Sequence, residues 1–268
     1  MEQILWDTIR TEKYDEVPNL LQKYSGLDIN WKNEKNGNRN LLHQASFHSD
    51  SVTSLLLSHP DIDVNAVDSV GETPLFVCAC WMSGTLSRVK IFLRDPRTDL
   101  NILSLTGTHL LWIVVYCERY DVIQWMIASG KELKLGEQKT DAVEKARVQK
   151  SWPIYHLLQS FRLTPDETRE KVRREIGWYV ERVSDLFAIV IFLCDGLLEI
   201  RRKIKIKKHL PNRARFLHIA SQLPIEIQMI LCHRVVGSMK ENIPVEDSEN
   251  AFRNLAKKVL ISWPKKKK

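Results

Sequence analysis

An internal repeat is the feature that most constrains what this chain of 268 residues can fold into. Three segments align in the first half, and they read NRNLLHQAS from Asn38, GETPLFVCA from Gly71 and GTHLLWIVV from Gly107. Their anchoring leucines, Leu42, Leu75 and Leu111, lie 33 and 36 residues apart. Self-similarity at a period of about 20–50 residues predicts a stack of small units, each of which buries its apolar face against its neighbours.

Each unit continues in the same way after its anchoring leucine. A second apolar run follows, at residues 51–57, 88–93 and 121–127. Related exit segments then end at Asn65 and Asn101, and an earlier one, ending at Asn30, closes a partial unit that begins near Ile4. We therefore predict a repeat domain over residues 1–161, with units near 1–34, 35–67, 68–103 and 104–136 and a degenerate cap over 137–161.

The repeat resembles the ankyrin repeat over about residues 1–150. The family signature Gly-x-Thr-Pro-Leu-His-x-Ala corresponds to Gly71, Thr73, Pro74, Leu75, Phe76 and Cys78 in one unit and to Leu42, His43 and Ala45 in the unit before it. In the third unit only Gly107 and Leu111 remain, with His109 and Trp112 at the Thr and His positions. The resemblance implies an all-α solenoid of about four to five units, some of them degenerate, with projecting hairpin fingers.

Individual residues of the signature have a local physical role. Thr73 is suited to cap a helix that Pro74 begins, because proline at the first helical position loses no hydrogen bond. Gly71 suits the tight turn of the finger. His43 is, by the resemblance, a structural residue whose ring bonds neighbouring backbone rather than a catalytic group or a ligand.

The resemblance also implies where a partner protein would bind. Proteins of this family usually bind through the finger tips and the exposed side of the first helix of each unit. Carried onto this sequence, the partner-binding positions are Asn36, Arg39, Phe47, His48, Ser69, Val70, Glu72, Trp81, Leu105, Thr108 and Tyr116. We expect Trp81 and Tyr116 to be the main anchors, because aromatic side chains dominate protein-binding hot spots.

The second half predicts a separate helical domain over residues 162–264. Thr164 and Pro165 are typical of a helix start, and Glu167 would complete a capping box. A stripe at helical spacing follows and predicts one long helix, with a possible kink at Gly177; its members are Val172, Ile176, Tyr179, Val183, Phe187, Val190, Cys194 and Leu197. Two downstream helices are expected to cover it, with Ile227, Ile230, Leu231 and Val235 inward on one and Phe252, Leu255, Val259 and Leu260 on the other.

The segment from Leu223 to Leu231 has two interpretations. Its Leu-Pro-x-Glu-Ile pattern resembles the start of an F-box, although the later Arg and Trp of that motif have no counterpart at the expected interval. That resemblance implies docking on a ubiquitin-ligase adaptor through Leu223, Pro224, Ile225 and Met229. The other interpretation is ordinary packing against the long helix, and the sequence favours it because that helix needs cover.

The charge is concentrated in one window. Residues 199–215 hold eight basic side chains and one acid, which equals the whole net charge of +7. The rest of the chain is balanced, so a general nucleic-acid-binding surface is not expected. The window itself is interpreted as a solvated linker, with a nuclear import signal or an anionic contact as alternatives. Residues 265–268 form a basic tail that we expect to be disordered.

Composition and motifs favour an interaction protein over an enzyme. The five cysteines show no pairing framework and lie in apolar helical patterns, so we expect buried, reduced thiols and no metal. Phosphate-binding loops and metalloprotease or nucleophile motifs do not occur in the sequence, so no cofactor, small-molecule substrate or catalytic residue is expected. The residues from Met1 lack a signal-peptide pattern, and Leu186–Cys194 is too short to span a bilayer. We expect an intracellular protein, cytoplasmic or nuclear, that binds another protein or, alternatively, serves as the substrate receptor of a ubiquitin ligase.

Overall fold

The computed structural model describes residues 1–24, 26–80, 85–198, 212–238 and 243–259, with the side chains of 212–215 and 257–259 left out. The described chain is mostly α-helical, as predicted, with 65% helix and 3% strand. It divides into two compact modules. The N-terminal module comprises residues 1–172, and the C-terminal module begins at Arg173.

The helices of the N-terminal module follow one another in pairs. The first helices of the pairs are α1 (Glu2–Arg10), α3 (Leu41–His48), α5 (Pro74–Cys80), α7 (Leu110–Tyr116) and α9 (Ala142–Val148). The second helices are α2 (Val17–Lys23), α4 (Asp50–Leu57), α6 (Leu86–Arg94), α8 (Tyr120–Ala128) and α10 (Trp152–Leu163). Helix α11 (Pro165–Glu175) follows α10.

These helices pack as two rows. Within each pair the first helix contacts the second. The first helices also contact one another in sequence order from α1 to α9, and the second helices do so from α4 to α10. Each pair therefore buries its apolar face against the pairs on either side, as expected where a single helical hairpin cannot build a core alone.

Polar side chains cap several of these helices. At the starts of α3, α4, α5 and α6, a side-chain oxygen accepts a hydrogen bond from the backbone N–H three residues further on. The accepting residues are Asn40, Ser49, Thr73 and Thr85. Asp141 caps α9 by accepting from the N–H of Val143 at 2.8 Å. Each cap satisfies a backbone donor that the helix leaves without an internal partner.

The predicted anchoring leucines lie in the core. Leu42, Leu75 and Leu111 are all buried, as are Ala45 and Cys78 one turn further along their helices. In the last pair Ala142, Val143 and Ala146 of α9 and Ile154, Leu158 and Phe161 of α10 are also buried. The apolar periodicity of the sequence therefore identifies the faces that make the core of this module.

Three asparagines tie consecutive turns together. Each side chain bridges to the turn 31–34 residues later, donating through Nδ2 to a carbonyl and accepting a backbone N–H at Oδ1. Asn30 bridges Asp61 O (2.8 Å) and Asp63 N (2.8 Å), Asn65 bridges Arg97 O (2.8 Å) and Asp99 N (3.0 Å), and Asn101 bridges Glu132 O (3.0 Å) and Lys134 N (2.8 Å). These are the three asparagines at which the sequence repeat ends its units.

The hairpins lie between the helix pairs. Strands β1 (Lys32–Asn33) and β2 (Arg39–Asn40) pair antiparallel, with Lys32 opposite Asn40 and Asn33 opposite Arg39. In a later hairpin a single antiparallel bridge joins Leu103 to His109.

Helix α12 (Trp178–Cys194) forms the centre of the C-terminal module. It packs against α13 (Asn212–Ala220), α14 (Ile225–Val236) and α15 (Val245–Val259). The buried cluster consists of Val183, Phe187, Val190, Ala220 and Cys232, and Phe252 of α15 packs against it. The expectation that downstream helices cover the apolar helix is confirmed for these residues.

Three details of the C-terminal prediction are wrong. The long helix is not continuous, because Gly177 has φ +70° and separates α11 from α12. Cys194 and Leu197 lie on the surface rather than in the apolar stripe. On α14, Ile227 and Val235 are exposed, and Gln228, Cys232 and His233 occupy the buried positions.

The apolar segment Leu186–Cys194 belongs to α12. None of the helices in the described ranges combines the length and the apolar character needed to cross a membrane. Residues 199–211 of the basic window lie outside the described residues, as do the side chains of 212–215, so the interpretation of this window stays a prediction. Residues 260–268, which include Leu260 and the basic tail, also lie outside the described residues, as does the side chain of Val259.

Candidate interaction surface

The tips of three successive hairpins of the N-terminal module are joined by backbone hydrogen bonds. Ser69 N–H donates to the carbonyl of Gly37 at 2.8 Å, and Leu105 N–H donates to the carbonyl of Val70 at 3.0 Å. The predicted tip residues Ser69, Val70 and Leu105 therefore form a row, which we call the tip row and which also includes Asn36 next to Gly37. A row held by backbone bonds keeps its spacing whatever side chains it carries.

Gly71 is needed for this row. Its φ is +80°, a left-handed conformation that other residues rarely adopt. A Cβ at this position would lie 2.6 Å from the backbone nitrogen of Leu105. The finger turn of one unit can therefore approach the next only if residue 71 is glycine.

The tip row presents apolar side chains to solvent. Val70 is 49% exposed and Leu105 is 77% exposed, and Val67 and Leu103, which sequence reasoning missed, are also exposed. Asn36 is exposed at the end of the short turn Glu34–Asn36. Exposed apolar side chains in a row are available for contact with another protein.

Arg39 and Glu72 are partly committed to contacts within the module. Arg39 Nε lies 3.1 Å from Asp68 Oδ2, and its guanidinium lies over the ring of Phe47 at 5.0 Å. Asp68 Oδ1 in turn accepts the backbone N–H groups of Val70 and Glu72 at 3.0 Å each. These contacts therefore fix the turn that carries Val70. Only the solvent-facing atoms of Phe47 and Arg39 remain available to a partner.

The remaining predicted residues of the first helices lie at or beside the helix ends. His48 is exposed at the end of α3, where its carbonyl accepts a hydrogen bond from Tyr14 Oη at 3.3 Å, and desolvation lowers the pKa of its ring. Thr108 is half-buried before α7, with its backbone N–H donating to Ser104 Oγ at 3.2 Å. Trp81 lies outside the described residues.

Tyr116 belongs to a stacked group at the end of α7. Its ring lies parallel to that of Trp112, with centroids 6.0 Å apart and an angle of 3° between the planes. Lys145 Nζ of α9 lies 4.8 Å from the centroid of Trp112 and 4.5 Å from that of Tyr116. Tyr116 is still 57% exposed, so it is a rigid aromatic surface with a cation beside it.

Further exposed apolar residues follow on α9 and α10. Val148 and Trp152 are both more than half exposed. Trp152 contacts Tyr155 edge-on at a centroid distance of 5.9 Å. Sequence reasoning missed Trp112 and Trp152, although the spacing of Trp112 and Tyr116 by four residues places both on one helix face.

His43 is held as a structural residue. Its Nε2 lies 2.9 Å from the carbonyl oxygen of Glu72, and its Nδ1 lies 2.7 Å from Asn40 Oδ1. Burial lowers the pKa of His43 to about 4, because a buried imidazole loses the hydration that stabilises its charged form. Within the described ranges, no group of three or more His, Cys, Asp or Glu side chains is placed to hold a metal ion.

A second exposed apolar patch lies on α14 of the C-terminal module. Pro224 is exposed, Ile225 is 50% exposed and Ile227 is 42% exposed, whereas Leu223 and Met229 are half-buried. The expectation that this segment packs wholly against α12 is therefore wrong for its first turn. Gln228 is buried instead, and its Nε2 donates to the carbonyl of Leu223 at 2.7 Å and contacts Cys194 Sγ at 3.4 Å.

No family model matches the chain, and no curated protein matches its sequence.

Proposed function

We propose that residues 1–161 are an ankyrin-repeat domain of about four to five units whose tip row and first-helix ends bind another protein, and that the domain is not catalytic. The main observation that supports this proposal is the tip row, in which backbone hydrogen bonds align the exposed residues Val70 and Leu105 on successive hairpins. The paired helices and the three bridging asparagines support the repeat assignment, because each recurs at the period of the sequence repeat.

The side chains available at this surface indicate what a partner must present. Val70 and Leu105 offer apolar area, and Tyr116 adds an aromatic ring held by Trp112 and Lys145. Apolar and aromatic residues on a rigid frame lose little conformational freedom on binding. We therefore propose that the partner is a folded protein with an apolar patch rather than a highly charged ligand.

Affinity purification of the full chain tests this proposal. Leu105→Asp places a charge at the most exposed tip, so it should remove the bound partner while leaving the fold intact. Leu163→Asp is the matched control, because Leu163 is nearly as exposed as Leu105 but ends α10 in the second row of helices. Equal recovery of the partner by both variants and the unmodified chain would contradict binding at the tip row.

A second function is favoured by the exposure of α14. We propose as the alternative that the chain is the substrate-receptor subunit of a ubiquitin ligase, with Leu223, Pro224, Ile225 and Met229 docking on the adaptor. Support comes from Ile225 and Ile227, whose exposed side chains leave an apolar turn available beside the Leu-Pro pair. The repeats would then hold the substrate.

Binding to purified ligase adaptors distinguishes the two candidates. Ile225→Asp should abolish adaptor binding, whereas Val235→Asp should not, because Val235 is exposed on the same helix but lies beyond the resembling segment. If the unmodified chain binds none of the adaptors, the interaction-module proposal stands alone.

A further inference from the structure

Two cysteines meet at the ends of neighbouring first helices in the N-terminal module. Cys80 is the last residue of α5, and Cys117 directly follows α7, which packs against α5. Cys117 Sγ lies 3.7 Å from the carbonyl oxygen of Cys80, so the Cys117 thiol lies directly against residue 80. The pair therefore joins two units of the repeat that are 37 residues apart in sequence.

The other cysteines have different surroundings. Cys78 and Cys232 are buried, and burial raises the pKa of both thiols. Cys194 is exposed in the C-terminal module, where its Sγ lies 3.2 Å from the carbonyl oxygen of Ser221. Cys117 instead combines partial exposure with a thiol partner, which is the arrangement that a reactive cysteine and a resolving cysteine require.

The environment of Cys117 favours its thiolate. The neighbouring Cys80 side chain lowers the pKa of Cys117 to about 7, and the nearby charge of Arg119 acts in the same direction. The same contact raises the pKa of Cys80, which therefore keeps its proton while Cys117 loses one. Since the thiolate is the nucleophilic form, Cys117 is the sulfur that attacks first.

We propose that Cys80 and Cys117 are a peroxide-reactive dithiol that closes into a disulfide between α5 and α7. The Cys117 thiolate attacks one oxygen of hydrogen peroxide; the O–O bond breaks, and the departing hydroxide takes up a proton as water. Cys117 is then a sulfenic acid. Cys80 attacks its sulfur, the S–O bond breaks, and the hydroxyl leaves as water with the Cys80 proton. Overall, two thiols lose two electrons and two protons to one peroxide, which becomes two waters.

The bond would form beside the candidate interaction surface. Tyr116 directly precedes Cys117, so a disulfide there fixes the end of α7 that carries the stacked aromatic pair. The dithiol chemistry itself does not depend on the proposed partner. Any effect on partner binding would rest on the proposed function, whereas mapping of the disulfide measures the thiol chemistry alone.

The full chain, reduced and then treated with hydrogen peroxide, tests the proposal. After free thiols are alkylated and the protein is digested without reductant, we expect a linked peptide pair joining Cys80 to Cys117, which dithiothreitol reverses. Cys194→Ser and Cys78→Ser should leave this link unchanged. Linkage through Cys78 instead of Cys80, or recovery of Cys117 as a free thiol under conditions that oxidise Cys194, would overturn the proposal.

The variant Cys80→Ala separates the attack on peroxide by Cys117 from the closure of the disulfide by Cys80. Without its resolving partner, Cys117 should stop at the sulfenic acid, which dimedone traps as a stable adduct. Alkylation of Cys117 in the unmodified chain should be half-maximal near pH 7, and this midpoint should rise in Cys80→Ala because the influence of the Cys80 side chain on the pKa of Cys117 is lost. An unchanged midpoint together with no dimedone adduct would show that the two thiols do not act as a pair.

Discussion

The side chain of Asn65 spans to the backbone of Asp99, accepting its N–H at 3.0 Å, although the two residues are 34 positions apart. The same amide donates to the carbonyl of Arg97 at 2.8 Å. A single asparagine thus satisfies two backbone groups of the following turn. Asn30 and Asn101 make the corresponding pair of bonds in the neighbouring turns, so the register of the stack is held by side-chain amides as well as by its apolar core.

Asn65→Ala should destabilise the N-terminal module by about 1–3 kcal/mol, because it removes two hydrogen bonds and leaves backbone groups of the next turn without them. Thermal unfolding followed by circular dichroism measures the loss. Asn36→Ala is the matched control, since Asn36 is exposed on a hairpin turn, and it should change stability by less than about 0.5 kcal/mol. Equal melting temperatures for Asn65→Ala and the unmodified chain would contradict the bridging role.

Leu75→Ala should lower the free energy of unfolding by about 2–5 kcal/mol, because the truncated side chain leaves a cavity among packed helices. Leu75 is almost fully buried in α5. Leu105→Ala removes the same atoms from an exposed tip and should have little effect on stability. Denaturant titration of the three proteins makes the comparison, and similar midpoints for the two variants would show that the predicted register is wrong.

Gly71→Ala should be more destabilising than Gly107→Ala. Both glycines have positive φ, so each substitution introduces backbone strain of about 1 kcal/mol or more. Only at Gly71 does the added Cβ also meet the backbone of Leu105 at 2.6 Å, whereas the space around Gly107 is open within 4 Å. The difference between the two melting temperatures isolates the contact between successive fingers, and its absence would argue against the tip row.

The stability of the N-terminal module should depend on the protonation of His43. Its pKa falls from 6.5 in an exposed site to about 4 in the folded protein because of burial, so the unfolded chain takes up this proton first as the pH falls. The contribution of the neutral ring is therefore fully present above pH 6.5 and is lost between 6.5 and about 4. The shift corresponds to about 3 kcal/mol at most.

Comparison with His43→Gln isolates this effect, because glutamine can keep a hydrogen bond to Glu72 but does not titrate. Urea unfolding at pH 7 and at about pH 4.5 should show a loss of stability on acidification that is about 2 kcal/mol larger for the unmodified chain than for the variant. If both proteins lose the same stability, His43 is already protonated or exposed in the folded state.

The apolar period of the sequence was sufficient to identify the core of the repeats. Leu42, Leu75 and Leu111 are buried because a leucine at the same point of each unit meets the same neighbours in the next. The exit asparagines were also visible as a pattern, but their side-chain bridges were not, since a bridge depends on which backbone groups the next turn brings within reach. Geometry of that kind follows from stacking and not from local sequence.

The errors in the C-terminal module arise because an apolar pattern alone does not determine where a helix breaks or which of its residues face the core. A stripe at helical spacing continues across Gly177 because the left-handed glycine interrupts the helix without removing apolar residues from the pattern. On α14 the residues facing the core include Gln228, whose Nε2 donates to the carbonyl of Leu223, and His233, whose Nδ1 lies 3.1 Å from Ser238 Oγ. Hydrophobicity alone predicted that Ile227 would be inward, but Gln228 and His233 occupy the buried positions of this helix instead.

The sequence predicted the tip residues of the candidate surface but not the stacked aromatic pair. The tip residues Ser69, Val70 and Leu105 come from the family resemblance, and the structure joins them in one row. Trp112 was assigned to a structural histidine position and instead stacks on Tyr116. A sequence alignment shows which position a residue occupies, but whether an aromatic ring there turns inward or stacks outward depends on its neighbour one turn away and on Lys145 from the next unit.

Site-resolved photo-crosslinking tests most directly the claim that the tip row binds a partner protein. A photo-reactive amino acid placed at Val70 or Leu105 of the full chain should form covalent adducts with the same partner, because both side chains lie exposed on adjoining hairpin tips. The same group at Leu163, which is as exposed but ends a second-row helix, should form none. Adducts from Leu163 that equal or exceed those from Val70 and Leu105 would contradict the account.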